Sequence, residues 1–273
     1  MTATLSALNL FPLKSAAALP LQQAEVEPRG LAGDRRWMVV DEGATFVTGR
    51  QLARLPLVRA TPLGEGGIRL DAPGMPSLEV AAPVAAGVRV ATTVWGVAVE
   101  PLLAAAEAGD WLSRFLDRPL RLVHMDDACV RRLKAKYDGR YGRDEDVVSF
   151  ADGFPLLLVS QAALDQLNAR LAVPVPMLRF RPNLVVAGTA PHAEDGWRRV
   201  RIGAIEFEVA KACTRCVFTT VDFERGERDP DGEPLRTLAT YRRTAEGVTF
   251  GQNLIPRGSG TLRVGDAVEV LDA

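Results

Sequence analysis

The chain is poor in cysteine and histidine, with three and two of them in 273 residues. Three thiols cannot close a disulfide framework, which fits a reducing compartment. Long apolar runs are also missing. Lys14 interrupts the early apolar stretch, and no run approaches the roughly 18–20 residues needed to cross a bilayer as a helix. The start, Met1-Thr2-Ala3-Thr4-Leu5, lacks the basic segment of a secretory signal. Charge of one sign is not in excess: 33 basic and 34 acidic residues give a net charge of −1, which argues against broad nucleic-acid binding. No flavin or nicotinamide glycine fingerprint follows a strand, since Gly64-Glu65-Gly66-Gly67 reads as a loop. These absences lead to the expectation of a cytoplasmic protein with neither nucleic acid nor membrane among its partners.

Glycine and proline are plentiful, at 24 and 18 residues, which favours short strands and turns. Strand-like runs recur at Thr4–Leu10, Arg36–Val40, Thr45–Thr48, Gly67–Leu70, Leu78–Val80, Val88–Val90 and Trp95–Val99. A helix is expected over Asp110–Leu116 with Asp110 as its cap, then a strand at Leu120–His124. Asp126–Asp146 is densely charged and reads as an exposed loop bordering a site entrance. Pro155–Val159 is an apolar strand, after which Ser160 caps a helix with Leu164, Leu167 and Leu171 on one face. Further strands are expected at Asn183–Val186, Arg198–Ile202, Ile205–Val209, Val217–Asp222, Thr261–Val264 and Val268–Leu271. The predicted architecture is mainly β with a few helices (α+β), in two β-rich halves.

Two of the cysteines lie together in Ala212-Cys213-Thr214-Arg215-Cys216. A thioredoxin-like pair opens a helix, whereas β-branched and aromatic residues follow this one. In an extended strand the two Cα atoms would be about 10 Å apart, too far for a disulfide. Zinc bound by these two with His124 and Cys129 lacks the usual two tight ligand pairs. On spacing alone both cysteines also read as small buried apolar residues. Elsewhere cations and amides gather at strand ends: Lys14-Ser15, Arg35-Arg36, Arg181 with Asn183, and Gln252-Asn253 with Arg257. Arginine and lysine together suit a phosphate-bearing ligand.

Cys213–Asp222, Gly232-Glu233-Pro234-Leu235-Arg236-Thr237-Leu238 and Tyr241-Arg242 resemble the MOSC domain, the C-terminal domain of molybdenum cofactor sulfurase. Phe11-Pro12-Leu13-Lys14-Ser15 and Asp34-Arg35-Arg36-Trp37 resemble the N-terminal β-barrel that accompanies it in mitochondrial amidoxime-reducing components and YcbX-like bacterial proteins. The resemblance implies a β-barrel-like domain over residues 1–105 and a MOSC domain over residues 106–273. It implies a molybdenum cofactor, molybdenum held by a pterin dithiolene and by the thiolate of Cys216, with Cys216 at the catalytic centre. By the same resemblance Lys14, Ser15, Arg35, Arg181 and Asn183 bind the pterin and its phosphate. Thr214 and Arg215 contact the cofactor, and Asp152 and Gly153 lie in another contacting stretch, where Gly153 and Phe154 replace hydroxyl residues of the animal members. Pyridoxal phosphate is not expected.

The activity implied is reduction of N-hydroxylated compounds: hydroxylamines, amidoximes and N-hydroxylated bases. Some bacterial relatives append a ferredoxin domain. This chain ends at Ala273 without iron–sulfur ligands, so a separate flavoprotein or iron–sulfur protein is the expected donor. A cofactor carrier or sulfur-transfer module is the alternative function. Three expectations follow: strand alternation turns Cys213 away from the site, Lys14, Arg35 and Arg181 converge on one anion, and neither histidine is catalytic.

Overall fold

The computed structural model describes residues 2–133 and 141–273. It is mostly strands, with helices at Ala106–Leu116, Gln161–Asn168 and Leu235–Tyr241, an α+β protein. The chain starts in its largest sheet. Thr4–Leu10 pairs antiparallel with Leu184–Ala187, which runs parallel to Leu156–Ser160. Gly247–Pro256, Ile205–Thr214, Arg199–Ile202 and Val268–Asp272 extend the sheet in that order. Alternation sorts the side chains of Leu156–Ser160 between two apolar clusters. Leu156 and Leu158 join Leu8, Val186 and Phe207 on one face, while Leu157 and Val159 join Phe180, Leu238 and Phe250 on the other.

Leu13, Ala16 and most of residues 37–129 build a second body, while residues 19–31 pack with the large sheet. Arg59–Pro62, Ile68–Asp71 and Leu78–Val80 form one antiparallel sheet. Leu102–Leu103, Arg121–His124 and Trp37–Val40 form another. Trp37–Val40 is buried on both faces, with Trp37 and Val39 in one cluster and Met38 and Val40 in the next. The helix Ala106–Leu116 covers the first cluster with Ala108, Trp111, Leu112 and Phe115, spaced at three and four residues. Gly109 lets it approach closely, since a Cβ there would lie 2.8 Å from the Leu120 carbonyl oxygen.

Several expectations change. The first helix begins at Ala106, and Asp110 is an exposed interior residue rather than its cap. The alanines before Asp110 favour helix strongly enough to start it a turn earlier. Ser160 does cap the next helix, accepting from the Ala163 N–H, but that helix ends at Asn168, short of Leu171. Thr45–Thr48 and Val88–Val90 supply only single bridges, Phe46 to Val40 and Arg89 to Leu102. Trp95 and Gly96, both at positive φ, form a two-residue hairpin turn between Thr92–Val94 and Val97–Val99. Val217–Thr220 is a 3-10 turn, not a strand. Its threonine hydroxyls donate to the Cys216 and Val217 carbonyls and close the turn locally.

Gln252 and Asn253, expected at a strand end, lie in the interior of the long strand Gly247–Pro256. Gly251 sits at φ +78°, where a Cβ would lie 2.6 Å from the Leu158 carbonyl. Of the charged stretch Asp126–Asp146, residues 134–140 lie outside the described residues. Its described flanks are anchored rather than loose. Arg131 is fully buried, donating to the Ser149 and Ala151 carbonyls at 2.9 and 2.6 Å. Asp146 pairs with Arg257 at 2.6 Å.

Candidate functional site: a basic cavity beside Cys216

Three turns prepare the site. Ser15, Arg35 and Arg181 have φ values of +66°, +48° and +56°, a left-handed region uncommon for residues other than glycine. Ser15 and Arg35 sit in turns beside strands, Arg181 ends the 3-10 turn Met177–Phe180, and all three line the same cavity of about 420 Å³. Lys14, Asp152, Gly153, Asn183, Thr214, Arg215 and Cys216 line it too, so all ten residues expected at the site come together.

Asn183 ties one wall. Its amide donates to the Asn9 carbonyl and to Asp34, both at 3.1 Å, and accepts from Arg35 at 2.8 Å and the Leu157 N–H at 3.3 Å. Those four bonds use the full capacity of a side-chain amide. Asp34 is buried beneath, ion-paired with Arg35; burial pushes its carboxyl up while Arg35 opposes the shift. The Arg35 and Arg181 guanidinium carbons lie 4.4 and 4.2 Å from the centre of the Phe11 ring. Arg181 donates one bond to the Ala16 carbonyl at 2.6 Å, while its Nη2 is buried without a hydrogen-bond partner among the described residues. Burial, together with the charge of Arg35, brings the Arg181 pKa down to about 9.

Lys14 forms the adjoining wall. It is 3 % exposed, donates to the Phe150 carbonyl at 2.7 Å and is ion-paired with Asp152. Burial lowers its pKa to about 8, against the opposing pull of Asp152. The Asp152 side chain is 62 % exposed to the cavity. Desolvation there is outweighed by Lys14, whose charge and hydrogen bond hold the carboxyl well below its usual range.

Cys216 caps the 3-10 turn with an exposed thiol. Arg50 Nη1 donates to its Sγ at 3.8 Å, and the Arg50 guanidinium stacks 4.3 Å from the Trp95 ring. Trp95 Nε1 donates to Asp152 at 3.2 Å, joining the thiol side to the Lys14 side. Gly49 allows this approach, because a Cβ there would lie 2.1 Å from the Phe218 ring. Arg50 and Trp95 escaped the sequence reading. The available signals were Gly49 before Arg50 and the hairpin Trp95-Gly96, and neither suggests a ligand alone. Cys213, expected to turn away, lines the same cavity while packing against the Phe180–Phe250 cluster. The strand carrying it ends at Thr214, so simple alternation does not reach Cys216. Burial pushes the Cys213 thiol pKa up.

Arg215 donates to the Phe250 carbonyl at 2.9 and 2.5 Å and to the Phe180 carbonyl at 2.9 Å, bracing the motif from behind. Of the other expected donors, Asn253 lines the cavity, Gln252 binds Asp195, and Arg257 pairs with Asp146 and Glu208. His124 and Cys129 lie in the other body. Among the described residues no group of three or more His, Cys, Asp or Glu could hold a metal ion. The cavity lining carries seven basic side chains and one carboxylate, in a chain of net charge −1. Such focused charge selects an anionic ligand.

The MOSC domain family matches residues 145–269, and the MOSC N-terminal beta barrel domain matches residues 2–119. Mitochondrial amidoxime-reducing component 1 of Xenopus laevis is 35% identical, covering 96% of this chain and 80% of its own length. The Danio rerio protein of that name is 35% identical over 96% and 82%, and the Homo sapiens protein 32% identical over 98% and 83%. Among the described residues no helix is long and apolar enough to cross a membrane. With both domains matched and full-length relatives above 30% identity, this chain belongs to the MOSC family, in the form that carries the N-terminal β-barrel domain.

Proposed function

We propose that the protein is a molybdenum-cofactor-dependent reductase of N-hydroxylated compounds, supplied with electrons by a separate flavoprotein or iron–sulfur protein. The observation that carries this reading is an exposed thiol at the edge of a cavity lined by seven cations, in a chain related to amidoxime-reducing components. The residues suit the cofactor chemically. A thiolate is a soft ligand appropriate to the metal. The unpartnered Nη2 of Arg181 suits an anionic oxygen. Cys216 would hold the metal, Lys14, Ser15, Arg35 and Arg181 the phosphate and pterin, and Gly153 and Thr214 would border them. Bound there, the group supplies the two-electron redox chemistry that removes the oxygen of an N–OH function as water.

The chain's own residues bind and orient. Asn183 fixes Arg35, and Arg215 braces the Cys216 turn through carbonyls of the neighbouring strands. Arg50, stacked on Trp95, keeps a positive charge beside Cys216 Sγ. Asp152 is held ionised at the mouth by Lys14 and Trp95, and is placed to receive a hydrogen-bond donor of the substrate. The histidines lie elsewhere: His124 packs on Trp37, and His192 contacts Gln166 and the Tyr241 ring. The three cysteines are unpaired, which supports the cytoplasmic setting as part of the same proposal.

The test is elemental analysis for molybdenum in protein from a cofactor-producing host, with benzamidoxime reduction by a dithionite-reduced dye. The proposal expects bound molybdenum and turnover in the wild type and in Cys213→Ser, and loss of both in Cys216→Ser. Molybdenum binding without turnover would favour the carrier or sulfur-transfer alternative. Oxidation of NADH or NADPH driven by substrate in the chain alone would refute the separate donor.

A further inference from the structure

The densely charged stretch of the sequence has a structural task at its base. Its two flanks run side by side: the Val148 N–H donates to the Arg131 carbonyl at 3.0 Å, and Arg132 bridges to Val147. The fully buried Arg131 side chain then spans the residues that follow. Nη1 donates to the Ser149 and Ala151 carbonyls at 2.9 and 2.6 Å, and Nη2 to the Asp152 carbonyl at 3.3 Å. The carbonyl between them, that of Phe150, accepts from Lys14 Nζ at 2.7 Å. Two buried cations therefore take four successive carbonyls, at residues 149–152. The Phe150 N–H donates to the Arg35 carbonyl at 3.0 Å. Buried carbonyls need donors, and a buried guanidinium needs acceptors. A planar fork of N–H groups serves several acceptors at once, which an ammonium does less well.

This strap leads straight into the basic cavity. Ser149, Phe150 and Ala151 are buried, and Asp152 and Gly153 then line the cavity wall. Arg131 stands behind that wall, outside the lining. Asp152 is fixed at both ends: its carboxylate by Lys14 and by Trp95 Nε1, its carbonyl by Arg131.

We infer that Arg131 is a positioning residue, which holds the strap so that the Asp152 carboxylate faces the basic cavity. Its effect on substrate rests on the reductase reading; the positioning itself does not. The first test is backbone hydrogen–deuterium exchange in the full chain, free of cofactor. Arg131→Met removes the charged fork at similar length. It should speed exchange of the Phe150 amide about tenfold, as expected for a lost charge-assisted hydrogen bond, with the Thr4–Leu10 strand unchanged. Arg131→Lys keeps a cation that reaches fewer carbonyls; it should exchange at an intermediate rate, and it serves if the methionine variant folds poorly. The second test is benzamidoxime reduction per bound molybdenum. Arg131→Met should raise KM about fivefold with kcat within about twofold. Arg131→Lys should recover most of that loss, and in an Asp152→Asn background Arg131→Met should add nothing further. Unchanged exchange at residues 148–152 in both variants, or effects on KM that multiply in the double variant, would overturn the assignment. A wild type without molybdenum or turnover would refute the reductase reading instead, and the exchange rates would still decide the positioning.

Discussion

A second cavity, of about 720 Å³, shares one wall with the basic one and differs from it chiefly in charge, with Glu27, Glu65, Asp126 and Asp127 in its lining against Arg29 and Arg36. Lys14, Ser15 and Arg35 face the basic cavity, while Pro12, Arg36 and Trp37, their neighbours in sequence, face the other. The wall is a single layer of backbone. Lys14 N–H donates to the Trp37 carbonyl at 2.8 Å, Trp37 N–H to the Pro12 carbonyl at 3.0 Å, and Arg35 N–H to the Phe11 carbonyl at 2.7 Å. On one side cations crowd together with a single carboxylate among them. On the other, Arg36 and Arg29 are tied to the 125–129 segment. The contrast teaches that neighbouring residues can acquire opposite roles where turns rather than strand alternation set their direction: Lys14 and Ser15 face one cavity together, Arg36 and Trp37 the other, with Ser15 and Arg35 at positive φ.

The largest expected effect falls on the wall's anchor. Asn183→Ala removes four hydrogen bonds and leaves the buried Asp34 and Arg35 pair short of partners. It should cost about 3 kcal/mol of stability, read from urea unfolding, since unsatisfied buried polar groups cost more than one bond gains. A loss under about 0.5 kcal/mol would show that the amide does not organise the wall.

Next in size is the charge contrast itself. Arg181→Ala should weaken retention of the anionic cofactor by about 2 kcal/mol, roughly 30-fold, as expected for a charge-assisted hydrogen bond. Arg36→Ala, across the wall, should leave retention within about twofold. Equal losses in the two variants, measured by molybdenum content after dialysis, would erase the distinction between the cavities.

The cavities should also respond to pH at opposite ends. Burial and the charge of Arg36 hold His124 near pKa 4 in the folded chain, below its ordinary 6.5, so the unfolded chain takes up the proton first as pH falls. Stability should therefore drop across the window from pH 6.5 to 4, by roughly 3 kcal/mol from this residue, and His124→Phe should flatten that slope. Lys14, lowered to about 8 from 10.5, works in the alkaline window. There the unfolded chain keeps a proton that the folded chain has released, so stability rises between pH 8 and 10.5. Anion retention falls over the same range, because the uncharged amine no longer attracts it. Lys14→Met should remove both alkaline effects. Parallel rather than opposing trends in stability and retention would contradict this linkage.

What the sequence disclosed follows the same physical division. Strands bounded by clear turn signals, such as Thr4–Leu10 and Leu78–Val80, were legible to the residue. The ten residues at the basic cavity were legible because they sit in motifs shared with the family, and their chemistry points to an anion. Arg50 and Trp95 were not, since their role arises from a hairpin tip and a loop that meet only in the fold. The turn at Val217–Thr220 was misread because threonine favours strands by propensity, yet here its hydroxyls satisfy neighbouring carbonyls. The second cavity gave no signal at all: Pro12, Gly66 and His124 are unremarkable apart and come together only through the N-terminal sheets.

The smallest expected effect tests whether that hairpin tip matters. Trp95 carries Arg50 on its face and donates to Asp152 from its edge, so it links the thiol side of the cavity to the lysine side. It is 37 % exposed, and a cation–π contact at such a site contributes about 0.5–1 kcal/mol. Trp95→Phe retains a ring for Arg50 and loses the bond to Asp152; Trp95→Ala loses both. If stacking positions Arg50, Phe should preserve most of the wild-type KM for an amidoxime, while Ala should raise it about threefold with kcat little changed. If the bond to Asp152 matters more, the two variants will behave alike. Stability should shift by less than about 1 kcal/mol in either, because the tip lies outside the apolar clusters and Phe46, its ring neighbour at 5.3 Å, is only partly buried.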